Sequence, residues 1–149
     1  MAQQFLLDVM LGKLVTYLRM CGYDTLSAQE EMIEADDVIS ERAASTGRTL
    51  VTRDRRLARQ TDNAILLTSR EIENQLAELH DHGISIELPT HPERCSVCNG
   101  CIKTIDTEQR PEHAPDTVSH IWQCRECDQY FWKGSHWGRV QEIISTIAV

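Results

Sequence analysis

Two closely spaced cysteine pairs are the residues of this sequence with the most sharply defined chemistry. Cys95 and Cys98 are separated by two residues, and so are Cys124 and Cys127. Such pairs on turns direct four thiolates toward one tetrahedral centre, which is the geometry of a structural zinc site. Four thiolates leave no open coordination position. We therefore predict a zinc ion that folds its module and takes no part in catalysis.

The long separation between the pairs, residues 99–123, is typical of a zinc ribbon, in which β-hairpins span the gap. The alternatives are two disulfides or buried free thiols. The N-terminal stretch has no basic region and carries Asp8 inside its short apolar segment. We therefore expect no secretory signal and a cytoplasmic protein, where disulfides are disfavoured. Cys101 is then a spare thiol, and Cys21 belongs to the core of the first helix.

Carboxylates form the second chemical group. Asp8 lies near the end of an apolar run, Asp36 and Asp37 begin a helical pattern, and Asp54 comes two residues after the run TLVT. In a parallel α/β sheet, reactants gather outside the carboxyl ends of the strands, so three of these acids could converge there. Like charges repel unless a divalent cation neutralises them. We predict such a site, formed by Asp8, Asp54 and either Asp36 or Asp37.

Helix capping is the alternative role for Asp36 and Asp54, and for each residue alone it fits at least as well. Asp8 discriminates better, because a carboxylate in an apolar run is costly to bury without a partner. Asp36 shares the inward face of its helix with Ile39 and Ala43, whereas Asp37 points sideways.

Basic side chains cluster around Asp54. Arginine is suited to phosphate because its charge is fixed and its planar fork can make two hydrogen bonds. A solvated helix face is the alternative explanation for such a charge run. The residues predicted to contact the phosphates of a polyanion are Arg53, Arg55, Arg56, Arg59, Lys13 and Arg19.

Apolar runs and helical patterns alternate through the first part of the chain. This rhythm predicts βαβ units, a mostly parallel sheet and helices on both of its faces. The predicted strands cover residues 5–10, 23–28, 49–52, 64–67 and 84–88, and the predicted helices cover 11–21, 36–46, 55–60 and 69–82.

Prolines and polar residues at positions 89–92 mark a boundary. We therefore divide the chain into an α/β domain, residues 1–90, and a cysteine-rich module, residues 91–149. The second module ends in a helical pattern, with Val140, Ile143, Ile144 and Ile147 on one face, that should pack on one of the two modules.

Composition excludes several classes of protein. The 149 residues are 41% hydrophobic and 26% charged, as in an ordinary soluble globular protein. No apolar run approaches the roughly 20 residues that span a bilayer. The net charge of −8 argues against a generally basic nucleic-acid binder, although local clustering of cations can still create a binding surface.

Several stretches together resemble one family. Residues 5–25, residues 36–58, the two cysteine pairs and WKGSHWGRV are similar to the PIN-like ribonucleases. The similar branch carries a C-terminal zinc ribbon and is known as the RNase domain at the C-terminus of the mut-seven exonuclease. The resemblance covers nearly the whole chain, but it does not extend to the exonuclease domain of mut-seven, so no exonuclease activity is implied.

This resemblance implies a PIN-like α/β/α sandwich whose acids hold Mg²⁺ or Mn²⁺ for hydrolysing RNA. The family's first acid corresponds to Asp8, the acid of its TRD motif to Asp54, and its middle acid to Asp36 or Asp37. The acid-rich loop SAQEEMIEA, residues 27–35, departs from the basic surface expected to face RNA.

We therefore expect a metal-dependent ribonuclease, with RNA as the partner and with ribosomal RNA, transfer RNA or the ribosome as candidates. The alternative from another class is a non-catalytic RNA- or ribosome-binding module, in which the ribbon recognises RNA and the acids are idle. The broader fold also suggests a toxin of a toxin–antitoxin pair.

Overall fold

The computed structural model describes residues 3–147. The strands are β1 (Gln4–Leu7), β2 (Asp24–Ser27), β3 (Thr49–Thr52), β4 (Ala64–Leu66), β5 (Ile102–Thr104), β6 (Trp122–Cys124) and β7 (Tyr130–Phe131). The α-helices are α1 (Gly12–Met20), α2 (Asp36–Ser45), α3 (Arg55–Arg59), α4 (Ile72–Asp81) and α5 (Ser135–Ser145), and Thr107–Gln109 form a 3-10 turn.

The first four strands form one parallel sheet in the order β2-β1-β3-β4. Each helix between them returns the chain to the start of the next strand, so all four carboxyl ends lie on one side of the molecule. Gly22 and Gly47, which follow the ends of α1 and α2, adopt positive φ angles of 94° and 65° that favour glycine.

Alternate residues of the strands pack into two hydrophobic clusters, one on each face of the sheet. Phe5, Leu7 and Val51 face the cluster that contains α1, α4 and α5. Leu6 and Leu50 face the cluster that contains α2 and α3. The predicted α/β/α sandwich with a parallel sheet is thereby confirmed.

The cysteine-rich module contains a second sheet, antiparallel, in the order β5-β6-β7. It is followed by α5, whose buried Val140 and Ile144 join the same cluster as Leu76 and Leu79 of α4. The predicted final helix is confirmed, and the module on which it packs is the α/β sandwich.

The turn after Cys95 docks against β2, the outermost strand of the parallel sheet. The side chain of Asn99 accepts a 2.9 Å hydrogen bond from the backbone N–H of Thr25 and donates a 2.7 Å bond to Oδ1 of Asp24. Asn99 can reach both groups because it adopts a left-handed φ of 73°. These bonds fix the ribbon to the amino-terminal half of β2.

The predicted fifth strand at residues 84–88 is wrong. Ile84 and Ile86 are buried, as the alternating pattern required, and the hydroxyl of Tyr23 donates a 2.7 Å hydrogen bond to the carbonyl of Ser85. The segment nevertheless pairs with no strand among the described residues. An extended chain that packs on helices alternates like a strand, so the pattern could not distinguish the two.

Most predicted boundaries shift by one residue, and two shift further. Pairing of β1 ends at Leu7, so Asp8 follows the strand, and α4 begins at Ile72. Within residues 3–147, no helix has the length and apolar composition that a membrane crossing requires.

Candidate functional site

The four cysteines of the predicted zinc site lie together. Their sulfur atoms are all within 4.8 Å of one another, with 3.7 Å between Cys95 and Cys127 and 3.5 Å between Cys98 and Cys124. Four sulfurs at about 2.3 Å from a zinc ion would be about 3.8 Å apart in a tetrahedron, so this cluster could hold zinc structurally. All six cysteines are free thiols, so the arrangement is not a pair of disulfides.

Backbone N–H groups point at the ligand sulfurs. Burial raises the pKa of Cys124, but N–H donors from Cys127 and Glu126, at 3.5 and 3.3 Å, outweigh it and leave the pKa below its ordinary value. The pKa of Cys98 is instead raised to about 12, first by burial and then by the neighbouring thiols. Four thiols so close together favour a shared cation over four protons.

Cys21 and Cys101 lie outside the cluster. Burial raises the pKa of Cys21 to about 12, and its side chain packs against the core of the sandwich. Cys101 is exposed.

Asp8 and Asp54 lie at the carboxyl ends of neighbouring strands and are joined through Thr52. The Thr52 hydroxyl donates a 2.7 Å hydrogen bond to Oδ2 of Asp8 and accepts a 3.0 Å bond from the backbone N–H of Asp54. The other oxygen of Asp8, Oδ1, accepts a 2.8 Å bond from the N–H of Val9. The sequence analysis did not identify Thr52. Its position at the end of a buried strand, two residues before the candidate acid Asp54, could have indicated a role in orienting a carboxylate.

Asp54 is the N-cap of α3. Its Oδ1 accepts hydrogen bonds from the backbone N–H groups of Arg56 and Leu57, at 2.9 and 3.3 Å. Asp54 therefore caps α3, which was the alternative role considered for it from the sequence. These bonds use one oxygen, and among the described residues Oδ2 accepts none, so capping leaves one carboxylate oxygen for a ligand.

Asp36 begins α2 at the same end of the sheet. Leu6 and Leu50 belong to the hydrophobic cluster under α2 and α3. Asp8 comes two residues after Leu6, and Thr52 comes two residues after Leu50. Residues two apart in a strand point to the same face, so Asp8 and Thr52 project toward the face that carries α2 and α3. Asp36 is half-buried and makes no capping bond. Asp37 is exposed and accepts a 3.3 Å bond from Gln60, which favours Asp36 as the third acid.

The three acids lie at the same end of the sheet, but their carboxylate oxygens do not all lie within 4.8 Å of one another. Among residues 3–147, the four cysteines are the one group of three or more Cys, His, Asp or Glu side chains whose potential ligand atoms all lie within 4.8 Å of one another. Mg²⁺ commonly binds through one or two carboxylates, with waters and substrate phosphates completing its shell. Asp8 and Asp54, with Asp36 nearby, fit that mode better than a closed carboxylate cage.

Five of the six basic side chains predicted to contact RNA are exposed, namely Arg53, Arg55, Arg56, Arg59 and Lys13. The arginines follow directly from β3 into α3, beside Asp54. Lys13 shares a groove of about 250 Å³ with Arg70, between the starts of α1 and α4. Arg70 was missed because it stands alone in the sequence.

Arg19, the sixth of these basic residues, is buried. Its burial contradicts the predicted contact with RNA. It is 1% exposed, and its guanidinium donates to the carbonyls of Thr25, Ser96 and Val97, at 3.0 to 3.3 Å. It also forms a 2.9 Å ion pair with Glu30. A buried arginine needs such partners, and here they join the ribbon to the sandwich.

Comparison with known proteins identifies one family. The model of the Mut7-C RNAse domain matches residues 3–144. Among curated proteins none matches the chain, and the same is true among solved structures.

Proposed function

Because the chain belongs to the Mut7-C RNAse domain family, we propose that it is a metal-dependent ribonuclease that hydrolyses phosphodiester bonds of RNA. The hydrogen-bonded chain from Asp8 through Thr52 to Asp54 carries this proposal. It holds two carboxylates at the carboxyl ends of adjacent strands, on the face where Asp36 begins α2. That is where ligands bind in open α/β sheets.

Asp8, Asp54 and Asp36 would hold Mg²⁺ or Mn²⁺. Such an ion, when bound, lowers the pKa of a water ligand and stabilises charge on the scissile phosphate. Thr52 orients the Asp8 carboxylate, and the cap bonds orient that of Asp54. The exposed Arg55 and Arg56 would bind phosphates flanking the cleaved bond, which offsets repulsion between RNA and an acidic protein.

The test is incubation of metal-depleted protein with single-stranded and structured RNA, with and without Mn²⁺, beside Asp8→Asn. We expect cleavage in Mn²⁺ and none by the variant. Equal cleavage by Asp8→Asn would exclude the acidic site. Ribosomal RNA, transfer RNA and intact ribosomes are the substrates to compare.

A second function is favoured by the separation of the three acids. If they do not meet around an ion in solution, the protein would be a non-catalytic RNA- or ribosome-binding module with a zinc ribbon. RNA binding that persists in EDTA, with no cleavage of any tested RNA in Mn²⁺, would establish this alternative.

A further inference from the structure

A cavity of about 310 Å³ lies on the ribbon, and none of the residues assigned to the acidic site lines it. Its lining residues are Thr90, Thr117, Val118, Ser119, His120, Trp122 and Lys133. Its volume is at the lower end of the range for small-ligand pockets. The lining includes one cation and, among the described residues, no carboxylate. The larger cavity beside α2, about 580 Å³, is instead lined by Asp37, Glu41 and Asp62, which would repel phosphate.

Two aromatic rings, His120 and Trp122, line this ribbon pocket, and a third, His91, packs on Trp122. Trp122 is 8% exposed, and the ring centroids of His120 and His91 lie 6.1 and 6.4 Å from its own. Both histidines are exposed. His120 therefore presents an imidazole face to solvent with an indole nearby, an arrangement on which a planar base can stack.

Lys133 is held at the rim of the pocket. Its ammonium donates a hydrogen bond to the carbonyl of Thr90 and lies 5.5 Å from the ring centroid of Trp137. These two contacts limit its motion, so less freedom is lost when it binds an anion. An ammonium is a compact point charge that commonly binds phosphate.

We propose that the ribbon pocket binds one unpaired nucleotide of an RNA strand. The base would stack on His120 above Trp122, and Lys133 would contact an adjacent phosphate. Thr90, Thr117 and Ser119 supply hydroxyls that either donate or accept hydrogen bonds, so the pocket tolerates different bases. The choice of RNA as the ligand rests on the proposed function.

The junction between the ribbon and β2 and the acids lie at opposite ends of the parallel sheet. The ribbon is fixed to Asp24 and Thr25 at the start of β2, whereas Asp8 and Asp54 follow the ends of β1 and β3. An RNA strand bound at the pocket and at the acids would contact both the ribbon and the sandwich. The ribbon pocket is therefore an anchoring site, and its loss should raise KM for long RNA while leaving kcat unchanged.

The test measures binding of a fluorescein-labelled, unstructured RNA of about 12 nucleotides, a length that one such domain can cover. The zinc-loaded 149-residue chain carries Asp8→Asn so that the RNA stays intact. His120→Ala should weaken binding about tenfold, the usual effect of losing one stacked base. Lys133→Gln should weaken it and lower the salt slope by about 0.7.

Matched controls come from the same module. Lys103→Gln removes an exposed lysine of β5, and His113→Ala removes an exposed histidine that packs on Trp132 and Tyr130, outside the pocket. Neither should change binding. A duplex of the same sequence should show no dependence on His120, because its bases are already stacked. Zinc content and the unfolding midpoint verify that each variant is folded.

The proposal would be overturned if Lys133→Gln changed RNA binding no more than Lys103→Gln does. It would equally be overturned if His120→Ala changed RNA binding no more than His113→Ala does. If the pocket variants are inert while cleavage depends on Asp8, the ribonuclease proposal stands and this inference fails. If binding depends on the pocket and the unmodified chain cleaves no RNA, this inference stands and the ribonuclease proposal fails.

Discussion

The hydroxyl of Thr52 donates a 2.7 Å hydrogen bond to Oδ2 of Asp8, across two adjacent parallel strands. In Thr52→Val the strand keeps its shape, but Asp8 loses the donor that orients it. Groups that orient metal ligands commonly contribute 10- to 100-fold to metal affinity or activity. We expect a loss of about that size in Mn²⁺-dependent cleavage, measured as initial rate against Mn²⁺ concentration.

The matched control is Thr49→Val, at the opposite end of β3. Thr49 is buried as Thr52 is, and its hydroxyl accepts a 3.0 Å hydrogen bond from Asn63. This variant should lose stability without a specific loss of activity. If the two variants lose cleavage equally at equal stability, Thr52 has no special relation to the reaction.

Asp54→Asn separates the metal-binding role of Asp54 from its capping role. Asparagine caps helices about as well as aspartate, so α3 and the unfolding midpoint should be nearly unchanged. Cleavage should be abolished because a charged ligand is lost, and RNA binding should stay equal or strengthen slightly because a negative charge near phosphate is removed. Full activity in the purified variant would leave Asp54 as a cap only.

The exposed arginines after β3 should contribute to RNA binding independently of sequence. Replacing Arg55, Arg56 or Arg59 by Gln should weaken binding to all single-stranded RNAs, and each loss should lower the slope of log K against log salt by about 0.7. Arg125→Gln, an exposed arginine of the ribbon, is the control. Unchanged slopes in all three variants would indicate a solvated helix face.

The reactivity of the thiols should report the zinc site. In the zinc-loaded protein we expect one thiol, Cys101, to react rapidly with a thiol reagent at pH 8, because Cys21 is half-buried with a pKa of about 12 and the other four are bound. A chelator should release one zinc per chain and make four more thiols reactive. More than one reactive thiol before chelation would contradict the four-cysteine site, and Cys101→Ser should remove the first reaction.

Acid should weaken the junction between ribbon and sheet. Burial raises the pKa of Asp24, but hydrogen bonds from Arg48 and Asn99 outweigh it and hold the pKa below the ordinary value. A carboxyl group whose pKa is lower in the folded than in the unfolded protein stabilises the fold. This stabilisation is fully present at pH values above the pKa of the group in the unfolded protein, which is about 4. That stability is lost as pH falls through the folded pKa.

Asp24→Asn should therefore cost about 2 kcal/mol of unfolding free energy at pH 7, the usual scale for hydrogen bonds to a charged group. Urea unfolding of the variant and the unmodified protein should converge below about pH 4. Asp81→Asn, an exposed acid of α4, should show no such convergence. A difference that stays constant with pH would contradict the assignment to Asp24.

Local patterns in the sequence predicted most of the sandwich. TLVT became β3 with the predicted bounds, and α3 begins at the predicted residue, because an apolar run and a following cap act on neighbouring residues. The ISIEL segment failed because its alternation reports an extended chain and carries no information on whether another strand pairs with it.

Contacts between distant residues were beyond sequence reasoning. Arg19 was grouped with the exposed cations because the sequence gives its charge but not its burial. It donates hydrogen bonds to the carbonyls of Ser96 and Val97, which are 77 and 78 positions away in the sequence. Asn99 likewise meets Thr25 and Asp24 across 74 and 75 positions. Each needs the tertiary fold to bring its partner close.

The docking of the ribbon also bears on how this protein avoids aggregation. As an edge strand, β2 would offer free N–H and C=O groups to another chain. At Thr25 both are occupied by side chains, the N–H by Asn99 at 2.9 Å and the C=O by Arg19 at 3.0 Å. Since the zinc-binding turn positions Asn99, metal loss should uncover this edge as a template for intermolecular pairing. Zinc would then shield this edge from intermolecular pairing as well as fold the ribbon.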